Sequence, residues 1–514
     1  MMTGHAAAAR LVANSRWNLI AFIAALLANF LSLPVAIAAI GLDAFGAAGL
    51  VLAVYAPFAL VGTVAGQAIV RELAPRIAAD DRPGCARVMW SAIALTGLGC
   101  LLVALTMVVV GPYILERLSV GASEPRSWAM PLLICGAGWI AQQACLILQA
   151  ALAATQQYGR LALVSATGAV ASATCVVVAS RTLHTDIGFL AGTALGFAIL
   201  FVLLSMALHV QAPWLLRPTP FARKDLRELL AFARWQGAGH FSGAVANQVD
   251  RYVLGAVAPL AVVGQYNVAM RLQEVVHMGA LKVTEVLYPH FSVTATDTLS
   301  KRCAFFVRAS WLINLVGVVA LAPLIPLAGP LISLWIDAHT AVGGAPMLHT
   351  LATAGVIGSG VNVFSFFAMA TDQAQRLAVL NIAHSILLIG LTIPLIVLLG
   401  PLAAGLGYVI GNLFRLIAVS WLSARYFSSE IRPASLMRCT LPPLLGGLAA
   451  AWGVQLSDLS LVHTWWGLLL QYAAVVLFIA CAALLATASS QVGRTLMHET
   501  WRAGNRMLPG GRGG

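Results

Sequence analysis

The chain has 514 residues, of which 60% are hydrophobic and only 9% charged, with a mean hydropathy of +0.89. A water-soluble protein of this length carries far more charged surface, so a soluble enzyme or a nucleic-acid-binding protein is excluded despite the net charge of +12. The excess is arginine, 27 of 30 basic residues, with Lys224, Lys282 and Lys301 the only lysines.

Apolar runs long enough to cross a hydrocarbon core of about 30 Å recur along the whole chain. In order they predict spans at 17–40, 46–70, 88–112, 127–152, 161–180 and 187–211, then a polar connection at 212–234 containing Arg217, Arg223, Lys224, Arg227 and Arg234. Six more follow at 235–258, 264–290, 305–332, 346–370, 377–399 and 403–424, then a last pair at 437–457 and 465–488 and a tail at 489–514. Leu19–Ile40 is too long for the apolar core of a signal peptide and is followed at once by a second span, so it reads as the first transmembrane helix. In lipid the backbone must satisfy its own hydrogen bonds, so every span is expected to be helical. The expected fold class is an all-α polytopic membrane protein with about 14 transmembrane helices.

Orientation follows from the basic residues. With the N-terminus inside, 23 lie in cytoplasmic segments, three (Arg117, Arg126, Arg181) lie on the other side, and four (Arg251, Arg271, Lys282, Arg415) lie within spans. That asymmetry places both termini in the cytoplasm of a bacterial inner membrane protein. The eight cysteines lack metal-ligand spacing and read as small buried hydrophobes, so neither a metal nor a cofactor is expected.

The sequence also repeats itself. Arg16-Trp17 recurs as Arg234-Trp235, Ala28-Asn29 as Ala246-Asn247, Gly46 as Gly264 and Gly111-Pro112 as Gly329-Pro330, all at one constant offset. Ala154-Thr155-Gln156-Gln157 and Arg160-Leu161-Ala162 match Ala370-Thr371-Asp372-Gln373 and Arg376-Leu377-Ala378 at an offset slightly shorter, while Gly188 and Gly192 match Gly407 and Gly411 at one slightly longer. Each repeat holds six spans, an even number, so the two halves share one topology. The expectation is an N-terminal lobe at 1–211 and a C-terminal lobe at 235–424, related by a pseudo-two-fold axis along the membrane normal. Such duplication is characteristic of transporters with a path between the halves.

Ionisable residues within spans are costly and mark cavities or partners. They crowd into the seventh and eighth spans: Asp250, Arg251, Arg271, Glu274, His277, Lys282 and Glu285. With 100° per residue and Arg271 at zero, Lys282 falls at about +20°, Glu285 at about −40° and Glu274 at about −60°. On the seventh span His240, Asn247, Asp250 and Arg251 likewise share one stripe, and Arg415 beside Asn412 adds a cation on the twelfth. Arg271 with Glu274 and Lys282 with Glu285 are i,i+3 pairs that can neutralise each other along the helix. Gln142, Gln143, Gln149, Asn247, Gln248 and Asn412 suit either sugar hydroxyls or helix–helix contacts. The substrate-binding candidates are therefore Arg251, Arg271, Lys282, Arg415, Asn247 and His240, with Asp250, Glu274 and Glu285 for charge pairing or ion coupling.

The stretch Asn247-Gln248-Val249-Asp250-Arg251-Tyr252-Val253-Leu254-Gly255, then Val263-Gly264-Gln265-Tyr266-Asn267-Val268-Ala269-Met270-Arg271-Leu272, then Val286-Leu287-Tyr288-Pro289-His290-Phe291-Ser292, resembles the Wzx-type polysaccharide flippases of the multidrug/oligosaccharidyl-lipid/polysaccharide exporter superfamily. The resemblance implies alternating access, two appended helices, and an undecaprenyl-pyrophosphate-linked oligosaccharide as cargo, its pyrophosphate neutralised by the interior cations. It also implies polysaccharide polymerase and chain-length proteins as partners. The related lipid II flippases carry cavity arginines in their first two helices, whereas the first two spans here have none at comparable depth. A multidrug or cation antiporter of the same superfamily is the alternative, and it would favour unpaired acids over arginines. A membrane-embedded polymerase or ligase is a second alternative, but the outer acids Asp43, Glu116, Glu124, Asp186, Asp337 and Asp458 are isolated on short loops. No Gly-Lys dipeptide occurs, so no phosphate-cradling P-loop is present.

Overall fold

A computed structural model describes residues 4–119, 126–220, 227, 241–285, 287, 291, 298–371, 373–428, 430–457, 464–491 and 493–499. Among them the secondary structure is helical throughout, with no strand. His240, Glu124 and Asp458 lie outside the described residues, as do the Tyr288–His290 portion of the motif and most of the 212–234 connection.

The chain forms two compact units, Met1–Gly264 and Gln265–Gly514. In the first, α1 (Gly4–Ile40), α2 (Leu42–Tyr55), α3 (Leu60–Ala78), α4 (Arg82–Arg117), α5 (Ala129–Ala154), α6 (Tyr158–Leu183) and α7 (Asp186–Gln211) follow one another with short connections. Pro57 breaks α2 from α3 by a 3-10 turn at Ala56–Ala59, because proline cannot donate the helical hydrogen bond. Asp81 caps α4 by accepting from the Gly84 amide at 2.9 Å. Leu98, Leu101, Leu102, Leu105 and Val109 stand exposed on α4, a face suited to lipid rather than water. The buried core of this unit includes Ile69, Leu73, Met89, Leu148, Leu152, Leu204, Leu208 and Leu215.

The first unit also takes up α8 (Val249–Val257) and the first turn of α9 (Leu260–Glu285). These lie along α2. The Tyr252 hydroxyl donates to the Ala53 carbonyl at 2.7 Å. A Cβ on Gly46 would collide with the Leu260 carbonyl, and one on Gly264 would collide with the Leu42 carbonyl. Leu42 and Leu260 stand at the same offset as Gly46 and Gly264, so this contact is reciprocal in the repeat.

The second unit contains the remainder of α9, then α10 (Leu299–Leu321), α11 (Ala328–Trp335), α12 (Ala338–Ala370), α13 (Ala374–Leu399), α14 (Leu406–Tyr426), α15 (Pro433–Thr440), α16 (Pro442–Leu456) and α17 (Trp465–Ala488). An aromatic cluster closes one end: Phe367 meets Phe306 at 5.3 Å, Phe427 at 5.5 Å and Tyr426 at 5.1 Å between ring centroids. The Pro442-Pro443 pair bends α15 from α16 by 47°.

Some helix boundaries recur at the offsets of the sequence repeat. α6 runs from Tyr158 to Leu183 and α13 from Ala374 to Leu399, so both ends of the pair are separated by one and the same offset. The starts of α2 and α9, Leu42 and Leu260, repeat the offset of the Gly46–Gly264 match. His184 at φ 51° closes α6, and its equivalent Gly400 at φ 86° closes α13.

Eleven described helical segments are long and apolar enough to cross a membrane, with α2 and α3 counted as one, or twelve if the α15–α16 pair is one span. They match twelve of the fourteen expected spans. The two that fall short are the seventh and eighth. Part of the seventh lies outside the described residues, leaving a helical stretch at 241–246 and the nine-residue α8. The eighth, α9, is long enough at 26 residues but too polar, because it carries Gln265, Asn267, Arg271, Gln273, Glu274, His277, Lys282 and Glu285. Six of the eight cysteines are buried, while Cys175 is half-buried and Cys481 exposed.

Candidate functional site

In the first unit the polar stripe of α8 divides. Asp250 is fully buried, and its Oδ1 accepts from the Arg251 amide at 2.9 Å. The Arg251 guanidinium is half-buried and donates from Nη1 to Gln248 Oε1, one turn back, at 2.6 Å. Asn247 is exposed. The Gln248 amide, which carries no charge, is thus one partner of the Arg251 fork.

The same unit contains a cavity of about 260 Å³ whose lining includes Tyr55, Cys135, Trp139, Gln142, Thr193 and Phe197. None of its lining residues is ionised at neutral pH. Gln142 faces it, whereas Gln143 is a helix fastener, accepting from the Gly62 amide at 2.8 Å. The two neighbouring glutamines, indistinguishable by composition, thus have different surroundings.

In the second unit Arg271 and Glu274 pair on α9 with Nη1 and Oε2 3.6 Å apart. Their side chains are 49% and 46% exposed. At 3.6 Å the contact is longer than a charge-assisted hydrogen bond, so the pair is a loose one. Lys282 is exposed farther along the same helix. The side chain of Glu285, its expected partner, lies outside the described residues.

Arg415 and Asn412, close in sequence on α14, turn to different helices. Asn412 Nδ2 donates to the Ala354 carbonyl of α12 at 2.9 Å, so it ties helices together. Arg415 Nη2 donates to Asn381 Oδ1 of α13 at 3.3 Å, and its buried Nε has no partner. Arg415 also lies within electrostatic reach of His384 on α13 and of His277 on α9. Sequence reasoning missed Asn381 and His384. Their signal was present: an amide and an imidazole three residues apart in an otherwise apolar span. No group of three potential metal ligands occurs among the described residues.

A family model described as polysaccharide biosynthesis protein matches residues 11–295. No curated protein matches the sequence. Among solved structures, the chain is similar to a lipid II flippase MurJ in an inward closed conformation, with TM-score 0.71, 15% identity, and coverage of 95% of this chain and 100% of that one. It is also similar to an inward-facing multidrug resistance MATE family transporter of the MOP superfamily, with TM-score 0.66, 16% identity, and coverage of 79% and 95%. A MOP superfamily transporter from Pyrococcus furiosus, described as having a binding pocket of reverse polarity, gives TM-score 0.57 at 17% identity, with coverage of 82% and 96%. At these identities the likeness establishes a shared fold.

Proposed function

Since the chain belongs to the polysaccharide biosynthesis protein family, we propose that this multi-pass membrane protein is a flippase for a polyprenyl-pyrophosphate-linked oligosaccharide. It would move its cargo across the bacterial inner membrane for O-antigen, capsule or exopolysaccharide synthesis, handing it to a polymerase and chain-length proteins. In this reading the chain has fourteen spans, with both termini cytoplasmic. Lobes 1–211 and 235–424 work by alternating access about a pseudo-two-fold axis, and 437–488 is appended to them. The recurrence of helix boundaries at a near-constant offset supports the duplicated architecture.

One observation carries the cargo assignment: Arg271 sits half-exposed on a helix meant to cross the membrane, in a loose pair with Glu274. Arg forks suit phosphate oxygens, and a cation at that depth calls for an anionic partner. Arg271 and Lys282 are eleven residues apart, about 16 Å along the helix at 1.5 Å per residue. A translocating pyrophosphate would thus meet cations at two depths, with Arg251 and Arg415 sharing the charge, Asn247 and His240 meeting sugar hydroxyls, and Asp250, Glu274 and Glu285 aiding release. The uncharged lining of the first unit's cavity offers no counter-charge to a cationic drug, which weighs against the antiporter reading. Lipid II, the cargo named for the MurJ neighbour, fits less well, because no arginine occurs between Ile20 and Val70. Deleting the gene and identifying the lipid-linked glycan that accumulates on the inner leaflet tests the proposal. Accumulation of no such glycan, with loss of drug resistance instead, would favour the antiporter.

A further inference from the structure

Arg415 differs from the other interior cations in its surroundings. Arg271 has Glu274, and Lys282 stands exposed, but Arg415 is held by the neutral amide of Asn381 while its Nε–H is buried and unsatisfied. One turn along α13 from Asn381, His384 lies over Gly411 of α14, and a Cβ on that glycine would stand 3.0 Å from His384 Nε2. This imidazole nitrogen is also buried and without a partner. On α9, His277 Nδ1 is a third such atom, and Arg415 acts electrostatically on both histidines. Three helices of the second unit, α9, α13 and α14, therefore hold one guanidinium within electrostatic reach of two imidazoles, each with an unsatisfied nitrogen. The carboxylate of this neighbourhood, Glu274, is engaged by Arg271 at 3.6 Å.

Buried nitrogens left without partners in a native fold call for an unseen water or ion, and an unpaired cation within a membrane span calls for a counter-charge. A water would satisfy the hydrogen bonds and leave the charge. We infer that this junction binds a small inorganic anion, chloride, as the counter-ion of Arg415, held by the guanidinium Nε–H and by an imidazole N–H. A monovalent ion matches the single permanent charge of the site, whereas inorganic pyrophosphate would leave it strongly negative. The first half of the sequence has no equivalent, because Gly196 stands at the repeat position of Arg415 and Gly168 at that of His384. The repeat thus supplies no second copy of these residues. Where Arg415 also meets the pyrophosphate of the cargo, a point that rests on the export reading above, chloride would leave as the phosphate arrives.

The test is thermal unfolding of the purified full-length protein in sodium chloride against sodium gluconate at equal ionic strength, with sodium pyrophosphate as a third arm. Chloride should raise the midpoint saturably, by about 2–4 °C when well above its dissociation constant. R415Q should lose the shift. H384Q, which keeps the guanidinium and so guards against a folding defect, should need a severalfold higher chloride concentration for half the effect. A wild-type protein indifferent to chloride would overturn the inference and leave water as the occupant. So would the full shift retained in R415Q, or a saturable response to pyrophosphate without one to chloride. The readout needs no glycan: a chloride shift in a protein that exports nothing would sink the export reading alone, and export without the shift would sink this inference alone.

Discussion

The α6–α7 hairpin and the α13–α14 hairpin stand at equivalent places in the two halves of the sequence, yet one is sealed and the other is charged. α6 and α13 are of equal length and start and stop at matching positions of the repeat, so the backbone plan is shared. Between α6 and α7, Gly192 presses on the Val176 backbone, Gly196 on Ser172, and Gly168 receives Leu200. Between α13 and α14 the same positions hold Gly411 beside the His384 ring, Arg415 in place of Gly196, His384 in place of Gly168 and Thr392 in place of Val176. At α6 and α13 the start and the turn fall at matching places in the two halves of the sequence. The first hairpin packs closely through small residues, while the second has one guanidinium and one imidazole at the places of two glycines. In the export reading proposed above, the first hairpin is scaffold and the second, which carries Arg415, is part of the working site.

Exchanging the residues that distinguish the hairpins should give the largest effects. Gly196→Arg would drive a side chain into Ser172 and leave a guanidinium in an apolar seam, at a cost above about 4 kcal/mol, so the protein should vanish from membrane immunoblots. Arg415→Gly, the reverse exchange, should leave abundance near normal and lower glycan export about tenfold, the scale of one lost charge-assisted contact. Equal abundance of the two variants would erase the distinction between scaffold and site.

A smaller contrast comes from adding one methyl group. Gly192→Ala meets backbone atoms of Val176 and the Cys175 carbonyl, which cannot move away, and should cost about 3 kcal/mol. Gly411→Ala meets only the His384 ring at 3.0 Å, which can swing, and should cost about 1 kcal/mol. Chemical denaturation in detergent would rank them, and a larger loss at Gly411 would contradict the comparison.

The smallest effect is expected at Thr392, whose buried hydroxyl has no partner. Thr392→Val restores the residue of the first hairpin and removes an unsatisfied group, so stability should hold or rise by up to about 1 kcal/mol with export unchanged. A clear loss of export would mean that the working site extends two turns farther along α13.

Much of this was legible in the sequence, for identifiable reasons. The gap between apolar runs at Gly400 predicts where α13 ends, because glycine permits positive φ, whereas Pro57 and the Pro442-Pro443 pair fall inside the expected spans 46–70 and 437–457 and interrupt them, because proline removes a donor. The pairing of Arg271 with Glu274 followed from i,i+3 spacing alone. What periodicity could not supply was the partner across a helix seam. Asn412 and Arg415 read as one polar patch, yet one reaches Ala354 on α12 and the other Asn381 on α13. Gln142 and Gln143 are consecutive, yet one lines a cavity and the other bonds the Gly62 amide. Such choices depend on which helix lies alongside, and a single sequence does not encode that locally.

Export by a strain carrying Arg271→Ala, alone and with Glu274→Ala, measures the central claim most directly. The account predicts normal protein abundance in both, a lipid-linked glycan accumulating on the inner leaflet in both, and partial recovery with Arg271→Lys, whose ammonium lacks the planar fork. Normal export by the double variant, with low abundance of the single one, would reduce the pair to a fastener within α9 and contradict the role of Arg271 in carrying phosphate.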